Sequence, residues 1–116
     1  MVSEYLFAFA TNLAFAGELY LKALLIRYSN DKMFCEGHNL QILYDSLQDE
    51  ATKNKIRELY DFEFHIHPFE EMLEWHKNAF SDWRYGFSAT NDLSIQSTDF
   101  GVFVRTLKRL CNDINN

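Results

Sequence analysis

Glu18, Lys22, His38 and Arg84 are polar side chains set in strongly apolar surroundings in this chain of 116 residues. Glu18 and Lys22 fall among Phe7, Ala14, Phe15, Leu21 and Leu25, which share one face of a helix at about 100° per residue. His38 stands in Gly37-His38-Asn39-Leu40, and Arg84 in Trp83-Arg84-Tyr85-Gly86. An ion taken out of water is tolerated only when it is paired, so these side chains form a candidate polar cluster. The chemistry open to it is that of phosphates and protons. The planar guanidinium of Arg84 can hold a phosphate or a carboxylate through two parallel hydrogen bonds. Histidine gains and loses a proton near neutral pH, which suits His38 to acid–base work. The same residues also fit a purely structural role. Glu18 and Lys22 have the favoured i, i+4 orientation of a helical ion pair. Arg84 could close on Glu18, with Trp83 and Tyr85 in the core.

Two further groups of residues invite a functional reading. His65-Ile66-His67 has a spacing that puts both rings on one side only in an extended strand, and no carboxylate or histidine at i+3 or i+4 completes a tetrahedral set. No metal and no cofactor are therefore expected. His76 falls beside Met72 and Phe80 and reads as a core histidine. Lys53, Lys55 and Arg57, with Arg105, Lys108 and Arg109, form the basic clusters. Among exposed aromatics such residues could follow a phosphate backbone, although a solvated face is the commoner use of them.

Helices must position these groups. One Pro and four Gly favour long helices over a turn-rich β fold. The first helix is expected over Ser3 to Tyr28, capped by Ser3 and stopped by Ser29-Asn30-Asp31. Its far side, through Phe9, Leu13, Ala16, Tyr20, Ala23 and Leu24, is apolar as well. A helix apolar nearly all round is buried on both sides, and in so short a chain the second cover is expected to be another subunit. A second helix follows from about Asn39 to Gln48, and a third is capped by Thr52. Pro68 opens a fourth, whose inner face runs through Phe69, Met72, Leu73, His76, Phe80 and Trp83. Gly86 to Ser97 reads as a polar connection, and Ser97 or Asp99 caps a last helix. The expected fold is all-α, one domain over residues 1–116, an antiparallel bundle of four to five helices.

Composition narrows the function further. Hydrophobic residues make up 47% and aromatics 16%, which excludes a disordered chain. The net charge of −6 attracts no polyanion globally, so any nucleic-acid contact must use a local basic patch. Cys35 and Cys111 match no metal or redox spacing and read as thiols of a reducing cytoplasm rather than a disulfide. Tyr5 to Ile26 has the length of a membrane span, but Thr11, Asn12, Glu18 and Lys22 interrupt it, and the two charges alone would cost several kcal/mol at a bilayer centre, so no membrane role is expected.

Three segments resemble one known family. Asn12-Leu-Ala-Phe-Ala-Gly-Glu18-Leu-Tyr-Leu-Lys22-Ala-Leu-Leu is similar to the first-helix pattern of HEPN domains. Gly37-His38-Asn39-Leu40 with Leu43-Tyr44 resembles the stretch that opens their second helix. Phe80-Ser-Asp-Trp83-Arg84-Tyr85 resembles the close of their long later helix. The resemblance implies a helical bundle that dimerises and serves prokaryotic defence, toxin–antitoxin or RNA-processing systems. Many members are metal-independent ribonucleases in which an Arg, followed four to six residues later by a His, is assembled across the dimer. That Arg steadies a phosphate, and the His handles the proton as the RNA 2′-hydroxyl attacks. No His follows Arg84 here, so the strict motif is absent. The function expected is an RNA- or nucleotide-associated module of homodimeric, cytoplasmic character, with a partner protein encoded nearby as a further expectation. If active, Arg84 would hold phosphate and His38 would act as acid and base, with Glu18 and Lys22 orienting them. The alternative is a non-catalytic dimerisation or assembly protein whose charged cluster is structural.

Overall fold

Good helix formers fill residues 2–28, interrupted by one glycine and no proline, so little in this stretch opposes a continuous helix. The computed structural model describes residues 2–28, 37–78 and 90–114, with side chains over 8–28, 37–78 and 98–113. Five helices are present among the described residues: α1 (Val2–Tyr28), α2 (Leu40–Asp45), α3 (Glu50–Phe62), α4 (Phe69–His76) and α5 (Thr90–Ile114). No strand occurs among these residues, so the expected all-α bundle is what forms.

The short helices owe their limits to local chemistry. Gly37 has φ of 94°, a left-handed conformation that residues with a Cβ rarely adopt, and it turns the chain into α2. Asn39 then caps α2, its Oδ1 accepting from the amide of Ile42 at 3.1 Å. At the other end of α2 the Ser46 hydroxyl donates to the carbonyl of Ile42 at 2.7 Å. Asp49, rather than Thr52, caps α3: its carboxylate accepts the Thr52 amide at 3.2 Å and the Thr52 hydroxyl as well. Thr52 itself lies inside the helix. Pro68 stands at the cap of α4, where its missing N–H costs nothing, and Glu70 and Glu71 follow in the first turn.

The long helices α1 and α5 pack against each other, and α2, α3 and α4 complete the core. Leu21 and Leu24 of α1, Ile56 and Tyr60 of α3, Met72 and Leu73 of α4, and Phe100, Phe103 and Leu107 of α5 are fully buried there. Gly17 marks the close approach of α1 to α5. A Cβ on it would stand 3.2 Å from Cγ2 of Val104 and 3.4 Å from Cζ of Phe100. By length and composition Ala8–Tyr28 could cross a membrane; in this fold its inner face is the wall of the core.

Several boundaries differ from those read in the sequence. Ser3 lies within α1 rather than capping it. The second helix is shorter than expected, with Leu47 buried beyond its end. The last helix begins at Thr90, so much of the stretch read as a polar connection is helical, and Asp99 sits inside a helix instead of capping one. Low-propensity residues each cost only a fraction of a kcal/mol, and a helix formed by the apolar turns after Asp99 extends backward at small expense. The two faces of α1 are also divided differently. Leu24 joins Ala10, Ala14 and Leu21 in the core, whereas Phe15 and Ala23 lie on the exposed side. Phe80 and Trp83, expected on the fourth helix, lie outside the described residues, as do Ser29-Asn30-Asp31.

Candidate functional site

Glu18 is 3% exposed, a carboxylate placed by the α1 periodicity into the wall of the core. A buried anion needs partners, and two converge on it. Lys22, one turn later, donates its Nζ to Oε2 at 3.1 Å. His38 comes from the turn before α2 and puts Nδ1 at 2.7 Å from Oε1. The residues of the sequence-predicted cluster on α1 and in the Gly37-His38-Asn39-Leu40 turn are thus brought together. Backbone chemistry fixes that turn. The positive φ of Gly37 redirects the chain, Asn39 caps α2, and the amide of Leu40 donates to the carbonyl of Lys77 at 2.8 Å, just beyond α4.

Exposure rises outward from the carboxylate. Lys22 is 22% exposed and His38 56%. A carboxylate can only accept, so the His38 Nδ1 carries the proton, and in the neutral ring Nε2 is the basic nitrogen. A carboxylate behind Nδ1 holds an imidazole in one tautomer and orientation, which is the positioning that acid–base chemistry needs. Trp83, Arg84 and Tyr85, the remaining members of the predicted site, lie outside the described residues, as does Cys35.

The two basic clusters fare differently. Arg57 is drawn into structure: Nε donates to the Tyr44 hydroxyl at 3.1 Å, Nη1 pairs with Glu70, and the guanidinium lies 5.1 Å from the Phe69 ring centre. The Tyr44 hydroxyl donates onward to the Lys53 carbonyl at 3.2 Å, and burial pushes its pKa up. Lys53 turns its Nζ to the Asp45 carbonyl at 3.3 Å. On α5, Arg105 has a single long contact with Glu63, 3.6 Å, while Lys108 and Arg109 make no ion pair among the described residues.

The histidines outside the cluster are engaged separately. His65 donates Nδ1 to the Glu63 carbonyl at 2.8 Å and packs on Tyr60. His67 meets the Trp75 ring edge-on and lies 3.8 Å from the Glu71 carboxylate. His76 is buried, bonded through Nδ1 to the Met72 carbonyl at 2.6 Å and stacked on Phe100. Cys111 is half-buried, with its Sγ 3.6 Å from the Tyr20 carbonyl oxygen, and burial raises its pKa.

Asp99, offered by the sequence as a helix cap, has a different role. This buried carboxylate accepts the amides of Ile66 and His67, at 2.7 and 2.8 Å, and so ties the α3–α4 connection to α5. Tyr60 adds a hydroxyl donated to the His67 carbonyl at 2.7 Å. An acid at the start of the long apolar run of α5 was the available signal, and it is the same signal that a helix cap gives.

Comparison of the chain with family models, with curated proteins and with solved structures finds no match.

Proposed function

We propose that this chain is a HEPN-type helical module that works on RNA or nucleotide as a homodimer, in a prokaryotic defence or toxin-type system. The observation that carries the reading is the Glu18–His38 contact of 2.7 Å, which joins two sequence segments, separately similar to that family, into one site. In the catalytic form of this proposal His38 takes the proton of a ribose 2′-hydroxyl as its oxygen attacks the neighbouring phosphorus. The P–O5′ bond then breaks as the His38 imidazolium returns its proton to the departing O5′, leaving a 2′,3′-cyclic phosphate whose charge Arg84 balances. Glu18 positions His38 and stabilises the imidazolium formed, and Lys22 holds the carboxylate in place. No metal enters this scheme. The homodimer reading draws support from the outer side of α1, where Leu19 and Ile26 are exposed on the same face as Ala8 and Ala23.

A second reading has its own observation. Both oxygens of the Glu18 carboxylate are engaged within the fold, one by Lys22 and one by His38. In a non-catalytic assembly protein the cluster would serve only to pin α2 to α1.

The test is cleavage of single-stranded RNA by purified protein in EDTA, beside His38→Ala and Arg84→Ala variants with unchanged circular dichroism. Cleavage by the wild type that both substitutions abolish is the expected result. Absence of cleavage, or cleavage that survives either substitution, would retire the catalytic form and leave the assembly reading.

A further inference from the structure

The α3–α4 connection combines a rigid underside with an apolar outside. Its Ile66 and His67 amides are held by buried Asp99, its His67 carbonyl by Tyr60, and its His65 ring by the Glu63 carbonyl. Yet Phe62 is 87% exposed and Phe64 78%. Large rings held out in water have no use in the core. The connection next to them is already tied down, so a partner that binds there orders less of the chain and meets a smaller entropic cost.

Both rings line a groove of about 620 Å³ whose wall includes Arg105 of α5. A second hollow of about 210 Å³ continues it past Phe62, Glu63 and Arg105 to Arg109, one helical turn further on. The track therefore offers aromatic faces followed by two guanidinium groups. Among the described residues Arg105 has one ion pair, the long, exposed contact with Glu63, and Arg109 has none. Aromatic faces beside a line of cations match the two repeating parts of a single nucleic-acid strand, flat bases and phosphates. A globally acidic protein can hold such a strand only through a local patch of this kind.

We infer that the groove between the α3–α4 connection and α5 is a docking site for single-stranded RNA, with bases on Phe62 and Phe64 and phosphates on Arg105 and Arg109. The inference rests on the RNA reading of the preceding section and places the strand on residues apart from Glu18, Lys22 and His38. Glu63 competes with phosphate for Arg105, so it acts as a brake on binding.

The experiment is fluorescence anisotropy with a labelled mixed-sequence RNA oligonucleotide over a series of salt concentrations, in EDTA, using wild type and His38→Ala. Alongside them go Phe62→Ala/Phe64→Ala, Arg105→Ala/Arg109→Ala and Glu63→Gln, each with its melting curve. Loss of each ring is expected to weaken binding by about ten-fold. Loss of each arginine should reduce the log–log salt slope by about 0.7. Glu63→Gln should bind more tightly than wild type, a gain that no merely structural role of Glu63 produces. If the wild type binds RNA and the ring and arginine variants bind as well as it does, the docking site is wrong while the RNA reading stands. Wild type that binds no RNA at any salt overturns both. A change of oligomeric state in the ring variants with unaltered RNA affinity would make the patch a self-association surface and overturn the inference.

Discussion

At Glu18 a carboxylate has given up water for two partners of unequal exposure, and that inequality sets what its removal costs. Lys22 and His38 can both turn toward solvent once the carboxylate is gone, which keeps the penalty below that of a fully sealed pair. Glu18→Ala is expected to lower stability by about 2 kcal/mol in urea unfolding, against the 3–5 of a completely buried pair. A change below about 0.5 kcal/mol would class it with exposed ion pairs. The Arg57–Glu70 pair is of that exposed kind. Glu70 is held below the ordinary carboxylate range first by its own backbone amide and then by Arg57. Its stabilisation is therefore complete above the ordinary glutamate pKa of about 4.3 and disappears as pH falls through the lowered value. Glu70→Gln should cost no more than about 0.5 kcal/mol at neutral pH, and the difference from wild type should vanish in acid. At this scale the Glu18–Lys22 pair was legible, because helical periodicity alone puts both on one face. The Arg57–Glu70 pair was not, since its members belong to different helices and nothing local marks them.

Among elements, the α3–α4 connection and the α1–α5 contact each hang on one position. Asp99→Ala leaves two amides without an acceptor and should destabilise the fold by about 3 kcal/mol, two charge-assisted hydrogen bonds being lost together. Hydrogen exchange at Ile66 and His67 should accelerate more than exchange in the centre of α1. Equal acceleration everywhere would mean that Asp99 supports the whole fold rather than this connection. At Gly17 two effects oppose each other. Alanine gains about 1 kcal/mol of helix propensity, but its methyl group must displace Val104 and Phe100, both tightly packed. Overpacking of 1–3 kcal/mol outweighs the gain, so Gly17→Ala should lower the thermal midpoint. Helix existence was readable from apolar spacing for every element described. Boundaries were less so: the polar residues before Asp99 resemble a connection, and only the cooperativity of the helix that follows carries them into α5.

For the molecule as a whole, the all-α fold followed from the scarcity of Pro and Gly and from helical spacing, while the inner face of α1 required the partners themselves to be seen. Leu24 turned inward and Phe15 outward because α5 covers α1 from a direction that periodicity cannot supply. The exposed side of α1 then bears on assembly. Leu19→Glu with Ile26→Glu should convert the proposed dimer to a monomer in light scattering, with the melting point little changed because neither residue is in the core. A monomeric wild type would remove that part of the functional proposal.

The pair of amides held by Asp99 also bears on how the chain can vary in length. Adjacent N–H groups reach one carboxylate only while the segment 63–68 keeps its count, because one inserted or deleted residue moves both donors out of register with the acceptor. In descendants of this chain, an acid at position 99 and a fixed spacing between α3 and α4 should therefore be inherited or lost together.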